Sequence, residues 1–241
     1  AIDTESNESL FKENATQEVR DFYNDQGARR FRENIFKNLF GRLYFGFESA
    51  GLGIIQLDVN EEAYRNCLGT FQLLDSITIS EFTEICTSLI RLLGESYRFP
   101  QFDSTYPVSP IYEYLSLPSR IKHYLIAISE VKGVGLNPLY ECCQNLICER
   151  AGHLGWLLEL ARLNIKFFSE DDKALECSNC GTIHFQHSGS ICIHCNKELD
   201  SSSKKISAAK IRENHYYASK VVSERPLIRM HCEELTGQTD N

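Results

Sequence analysis

Long apolar runs are missing from this sequence. No stretch approaches the roughly 18 consecutive apolar residues that a membrane-spanning helix needs. The opening segment, "AIDTESNESLFKENATQ", is acidic and polar and has no signal-peptide hydrophobic stretch. Positive charge is in deficit: 25 Lys and Arg stand against 33 Asp and Glu, for a net charge of -8. That balance excludes a basic nucleic-acid glove, so any contact with nucleic acid has to be local. The sequence has no G-x-x-x-x-G-K-[ST] phosphate loop, no Asp-Glu-x-His/Asp box and no H-E-x-x-H. "GFESAGLG" contains a G-x-G, but no third glycine and no Lys-Ser/Thr follow, so it reads as a turn and not as a nucleotide site. No Ser or Cys has a nearby helper histidine that would mark a nucleophile, and no catalytic residue is expected within the chain. There is no internal repeat, and the only low-complexity tract is the three serines at 201–203.

What is present supports a folded chain. The sequence is 42% hydrophobic over 241 residues, enough for one large domain or two smaller ones. Its ten cysteines fall into two groups. Cys67, Cys86, Cys142, Cys143, Cys148 and Cys232 are scattered through apolar segments, where a cysteine acts as a small packing residue. The other four form two close pairs. One metal site plus buried thiols is a reducing-compartment pattern, not a disulfide framework, so a cytoplasmic location with no membrane association is expected.

Periodicity gives mainly helices. Residues 1–15 read as disordered or loosely attached. Glu18 to Phe40 is helical, with Phe31, Ile35 and Leu39 at helical spacing. Arg29, Arg30, Arg32 and Lys37 among them make either a solvated face or a phosphate-contacting one. Arg42–Phe47 and Ile54–Val59 read as the arms of a hairpin around Ser49, Ala50, Gly51 and Gly53. Helices are expected over Glu61–Leu74, Ser119–Lys132 and Pro138–Glu149. Another starts at Thr78, where Glu81 three residues on gives a capping box, and carries a core stripe of Phe82, Ile85, Leu89 and Leu92 as far as about Tyr97. His153–Ile165 is a further apolar stretch holding the lone Trp156. The expected class is mainly α with a small β-hairpin and a zinc ribbon, α+β overall. Residues 16–170 would form a helical accessory domain with its hairpin near 42–59, and 171–200 the ribbon.

The strongest motif is "LECSNCGTIHFQHSGSICIHCNKEL". Cys177 and Cys180 form one C-x-x-C, Cys192 and Cys195 another. Two intervening residues let both thiolates of a pair face one ion from a tight turn, and two such pairs complete a tetrahedron around zinc. Gly181 suits the left-handed backbone of such a turn, and Gly189 can reverse the chain between the pairs. Thr182–Phe185 is strand-like. Paired disulfides and an iron–sulfur centre are the alternatives. Four protein ligands leave no open position for an activated water, so the zinc is expected to be structural. His184, His187 and His194 are then solvent-facing or supporting groups.

Residues 201–241 read as a helix and a strand. Lys204 to Val222 is expected as one helix, with Lys204, Lys205, Lys210 and Arg212 crowding its first half, the unfavourable end for cations. These residues are either solvated, or face something negative such as the zinc tetrathiolate or DNA phosphate. At least one of Tyr216 and Tyr217 is expected to pack, and Arg225–Met230 reads as the start of a strand.

"YYASKVVSERPLIRMHCEELTGQTD" resembles a stretch of very large bacterial ATP-dependent helicases of superfamily 2, DEAD/DEAH-type enzymes with a C-terminal zinc-binding domain of unknown function. Members are associated with anti-phage defence of the Druantia and DISARM kinds and with mitomycin-type DNA repair. The order of Cys177, Cys180, Cys192 and Cys195, then Tyr216-Tyr217, then His231 to Thr239 is similar to that family's, and "GFESAGLGIIQLD" is similar to a stretch upstream of its ribbon. The resemblance covers roughly residues 177–240. It implies an internal fragment, with 233–240 leading towards the second motor domain and the ATPase motifs outside this stretch. It also implies an accessory region that braces the motor and contacts DNA, with the remaining helicase domains as partners and ATP and Mg bound only by the parent enzyme. The alternative is a stand-alone zinc-ribbon module that binds a protein partner.

Overall fold

The computed structural model describes residues 16–40, 46–99, 108, 111, 113–148, 155–199, 203–216 and 218–219. The described chain is mixed α and β, a helical body joined to small antiparallel sheets. Among the described residues no helix is long and apolar enough to cross a membrane.

Helix α1 spans Gln17–Leu39 and starts at Thr16, whose hydroxyl accepts from the Val19 N–H. Its buried face is not the expected one. Phe31 is exposed and Ile35 and Leu39 are only half-buried, whereas Glu33, Phe36 and Phe40 are buried. Phe40 selects this face: its ring lies over Gly94 of the next layer so closely that a Cβ there would sit 2.2 Å from it. Glu33 enters the core paired with Lys37 on the same helix. The side chains of Arg29 and Arg32 lie outside the described residues.

The second arm of the hairpin expected over 42–59 pairs with a distant strand, and most of the first arm lies outside the described residues. Residues 42–45 lie outside the described set, and 47–51 form a turn in which the Ala50 N–H bonds to the Gly46 carbonyl. Strand β1, Gly53–Leu57, pairs antiparallel with β2, Leu163–Phe167, about a hundred residues later, in the register Gly53↔Phe167 to Leu57↔Leu163. Glycine is required at 53, because a Cβ would lie 2.3 Å from the Lys166 carbonyl of β2 and 2.5 Å from the Phe47 ring. β2 occupies the end of the apolar stretch that begins at His153.

Four further helices supply most of the core. Asn60 caps α2, Glu61–Thr70. The Thr78–Glu81 capping box opens α3, Ile79–Glu95, with both of its reciprocal hydrogen bonds made. α4, Ser119–Lys132, ends at Gly133 in the left-handed conformation, and α5 spans Leu136–Ile147. The α3 stripe is as expected: Phe82, Ile85, Leu89 and Leu92 are all fully buried. They share one core with Ile121, Tyr124, Leu125 and Ile128 of α4, Leu139 and Leu146 of α5, and Trp156. Apolar burial of this kind stabilises by about 25 cal/mol per Å².

The C-terminal part carries a second sheet in the order β4-β3-β5, from β3 Lys173–Glu176, β4 Ile183–His184 and β5 Lys204–Ser207. The single helix expected from Lys204 to Val222 is thus divided. Lys204–Ser207 is a strand paired with β3; α6 spans Ala208–Asn214, where Ser207 supplies the cap by accepting from the Lys210 N–H, and after a bend at His215 helical backbone resumes at Tyr216, Ala218 and Ser219. The strand removes the anomaly of lysines crowding a helix start, since Lys204 and Lys205 precede the helix. Tyr216 is exposed; Tyr217, the expected strand at 225–230 and residues 231–240 lie outside the described residues.

Candidate metal centre

Two turns of the same shape present the four cysteines. In the first, the Gly181 N–H bonds to the Cys177 carbonyl and the Cys177 N–H to the Thr182 carbonyl; in the second, the Asn196 N–H bonds to the Cys192 carbonyl and the Cys192 N–H to the Lys197 carbonyl. Each turn bends just after its second cysteine through a left-handed residue, Gly181 at φ 72° and Asn196 at φ 56°. Glycine and asparagine are the residues that adopt this conformation most cheaply. The sequence anticipates the glycine, and the asparagine is its equivalent in the second turn.

The turns face each other. All four sulfurs lie within 4.8 Å of one another. Cys177 Sγ is 3.7 Å from Cys195 Sγ, and Cys180 Sγ is 3.6 Å from Cys192 Sγ. A tetrahedral ion with metal–sulfur bonds of about 2.3 Å sets its ligands about 3.8 Å apart, so these separations suit four thiolates around one ion. Backbone N–H groups aim at the sulfurs: those of Asn179 and Cys180 at Cys177, those of His194 and Cys195 at Cys192, and that of Lys197 at Cys195. Such donors stabilise thiolate over thiol. Burial pushes the Cys177 and Cys192 thiols up, and it also acts on Cys195, where the Lys197 N–H and neighbouring donors prevail and bring the thiol down to about 7. Four mutually repelling thiolates need a cation among them, and the donor set fits a soft-ligand divalent ion.

The surrounding groups hold the cluster in orientation. Of the three histidines, His187 and His194 are exposed, but His184 is buried, with Nε2 3.3 Å from Cys192 Sγ and Nδ1 3.4 Å from Ser188 Oγ. Burial first, then the positive charge of Arg91, lowers its pKa to about 3, so the ring is neutral. A thiolate can only accept, which places the one ring proton on Nε2 and lets Nδ1 accept from the Ser188 hydroxyl. This role was open to sequence reasoning only through strand alternation, which turns His184 inward between Ile183 and Phe185.

The cluster is docked on the helical body. The Tyr124 phenol donates to the Ser188 carbonyl at 2.9 Å, and both residues are buried. Gly189, at φ 64°, fits where a Cβ would lie 2.7 Å from Ile85 and 2.8 Å from Ile128. Arg91 of α3 donates to the Ile183 carbonyl at 3.2 Å and pairs with Glu48 at 2.8 Å and Glu95 at 3.0 Å, while Arg120 reaches the other oxygen of Glu95 at 2.7 Å. Burial pushes the Glu95 carboxyl up, but the two guanidinium groups hold it below the usual range. These charges line a cavity of about 350 Å³ beside the metal centre. Only the i,i+4 pair of Arg91 and Glu95 is local; the rest of the network is spread from residue 48 to residue 183 and is not visible in the sequence.

The four basic residues singled out in the sequence do not form one stripe. Lys204 and Lys205 are neighbours on a strand and so project to opposite faces of the sheet. Lys204 pairs with Glu176 at 3.3 Å, its partner across the sheet, and Lys210 pairs with Glu213 at 2.9 Å. Arg212 turns inward and donates to the Gly51 carbonyl at 2.8 Å and to the Phe168 carbonyl. Lys205 shares its face with Lys173, over a shallow cavity of about 220 Å³ that Leu175, Phe185 and His187 also line. No protein-family model, no curated protein and no solved structure matches this chain.

Proposed function

We propose that the four-cysteine segment is a zinc ribbon with a structural ion, and that the chain is a DNA-contacting accessory region of a larger ATP-dependent DNA helicase. The observation that carries the metal half is the pair of matched turns bringing Cys177, Cys180, Cys192 and Cys195 within 4.8 Å. All four positions of a tetrahedron are filled by protein, which favours a structural over a catalytic ion. The ion would hold together a sheet of four-, two- and four-residue strands that has little core of its own beyond Leu199 and the cysteines. The helicase half rests on the resemblance of residues 177–240 and is a proposal about the parent protein.

For DNA, the surface that fits best is the face of the sheet carrying Lys173 and Lys205, with His187 at its rim. Lys204 and Lys210 remain available, because exposed ion pairs are worth little and exchange readily for phosphate. Arg212 is a structural group. Phosphate contacts give affinity without sequence preference, and with a net charge of -8 opposing them they act only at low salt. Fluorescence anisotropy with labelled single- and double-stranded DNA tests this. Micromolar or weaker binding that falls steeply with salt and is lost in Lys173→Glu/Lys205→Glu is expected. No binding at low ionic strength, or binding indifferent to this pair, overturns it.

One observation favours the second reading, a protein-docking module. Phe22, Tyr23 and Phe31 expose their rings along α1. Retention of a folded partner that Phe22→Ser/Phe31→Ser abolishes, with no DNA binding at any salt, would select that reading.

A further inference from the structure

Outside the metal centre, five cysteines gather where α2, α3 and α5 meet. Cys86, Cys142, Cys143 and Cys148 are buried and Cys67 is half-buried. Cys67 lies near the end of α2 and Cys142 in the middle of α5. Their sulfurs are 3.2 Å apart, and Cys67 Sγ is also 3.1 Å from the Cys142 carbonyl. That is closer than the 3.6 and 3.7 Å pairs of the metal centre, where four thiolates are arranged to share one ion. Cys86 and Cys143 hydrogen-bond to each other and are fully buried, out of reach of a dissolved oxidant.

We infer that Cys67 and Cys142 are a peroxide-oxidisable dithiol that closes to a disulfide joining α2 to α5. The inference is independent of the helicase proposal and of the metal. Three features carry it. The two sulfurs already touch, so bond formation needs only a small approach of two helices that are packed together. Cys67 is half-buried while Cys142 is buried, so a small hydroperoxide meets Cys67 first. Cys142 is buried behind Cys67, with its sulfur 3.2 Å away, which makes Cys67 the attacking sulfur and Cys142 the resolving one.

The chemistry balances with hydrogen peroxide as the two-electron oxidant. The Cys67 thiolate attacks one peroxide oxygen and the O–O bond breaks. The leaving hydroxide takes up the proton that the Cys67 thiol released, giving Cys67 sulfenic acid and one water. Cys142 sulfur then attacks the sulfenic sulfur, the S–O bond breaks, and the hydroxyl leaves with the Cys142 proton as a second water. Two thiols have supplied two electrons, and a thiol reductant reverses the result. The product ties two helices 75 residues apart in sequence and restricts the unfolded chain accordingly.

Peptide mapping of the full, metal-loaded chain tests the inference. The protein is treated with stoichiometric hydrogen peroxide, alkylated, digested without reduction and analysed by mass spectrometry, with fragmentation between Cys142 and Cys143 assigning the bond. The expected product is a Cys67–Cys142 linked peptide, with alkylation of Cys67 falling to background, recovery on adding dithiothreitol, and the four metal-site cysteines still reduced. In Cys142→Ser the linked peptide disappears and Cys67 becomes trappable by dimedone as a sulfenic acid. If that variant fails to fold, the wild-type map alone decides. Oxidation of the metal-site cysteines while Cys67 and Cys142 both remain alkylatable would overturn the inference, as would a Cys67 disulfide formed only between chains.

Discussion

The phenol of Tyr124 donates to the backbone carbonyl of Ser188 across 2.9 Å, with both residues buried. Tyr124 belongs to α4, and Ser188 lies on the segment joining the two cysteine turns, so this bond couples the helical body to the metal centre. Tyr124→Phe leaves a buried carbonyl without that donor and should cost about 1–2 kcal/mol in urea denaturation. Gly189→Ala is the companion change. Its methyl meets Ile85 and Ile128 at a left-handed φ, and a loss of about 1–3 kcal/mol is expected. In both variants hydrogen exchange should quicken in β4 more than in α5. An unchanged midpoint in both would mean that the segment does not dock here.

Arg91 joins Glu48, Glu95 and the Ile183 carbonyl. Arg91→Met would leave two largely buried carboxylates short of their partner and is expected to destabilise by about 3 kcal/mol. Lysine should rescue poorly, because an ammonium group lacks the flat fork that reaches several acceptors at once. Chemical denaturation of both variants checks this. Full rescue by lysine would show that only the charge matters.

Acid stability should report on Glu81. Its carboxylate accepts from Lys132 and from the Thr78 N–H, which lower its pKa from 4.5 to about 2. A carboxyl depressed on folding stabilises the native state above the unfolded value, and that contribution is lost as pH falls from about 4.5 towards 2. Glu81 is partly exposed, so the effect is discounted to about 1 kcal/mol. Glu81→Gln should lower stability by that amount at neutral pH and converge with the wild type near pH 2. Parallel curves over the whole acid range would contradict the assignment.

His184 should matter to the metal without binding it. With Nε2 3.3 Å from Cys192 Sγ, its loss in His184→Ala should weaken metal retention against a competing chelator by about 10–100-fold. His194→Ala, at an exposed position, should change little. Equal effects of the two would remove the orienting role of His184.

What the sequence revealed follows the range of the interactions. The α3 stripe, the Thr78–Glu81 cap, the bounds of α4 and the two cysteine turns are each specified within a few residues, and each is present in the structure. α1 is different. Phe31 has the right spacing for a core residue, but the partner that selects the face is Phe40 against Gly94, fifty-four residues away. β1 looked like half of a hairpin because strands pair most often with near neighbours, yet its partner is β2. β5 was hidden among helix-forming lysines and is fixed by its register with β3 and by Ser207, whose side chain starts the helix four residues later than the charges suggest. The links of Arg91 to Glu48 and the Ile183 carbonyl lay beyond reach for the same reason, because such partners are set by tertiary contacts, and only strand alternation pointed to His184.

The central claim is that Cys177, Cys180, Cys192 and Cys195 hold one structural zinc ion on the helical body, and elemental analysis of chain purified without chelator tests it most directly. About one equivalent of zinc is expected, lost in Cys180→Ser while the circular dichroism of the helices persists. Less than about half an equivalent of zinc with no other metal, or stoichiometric iron in its place, would contradict it.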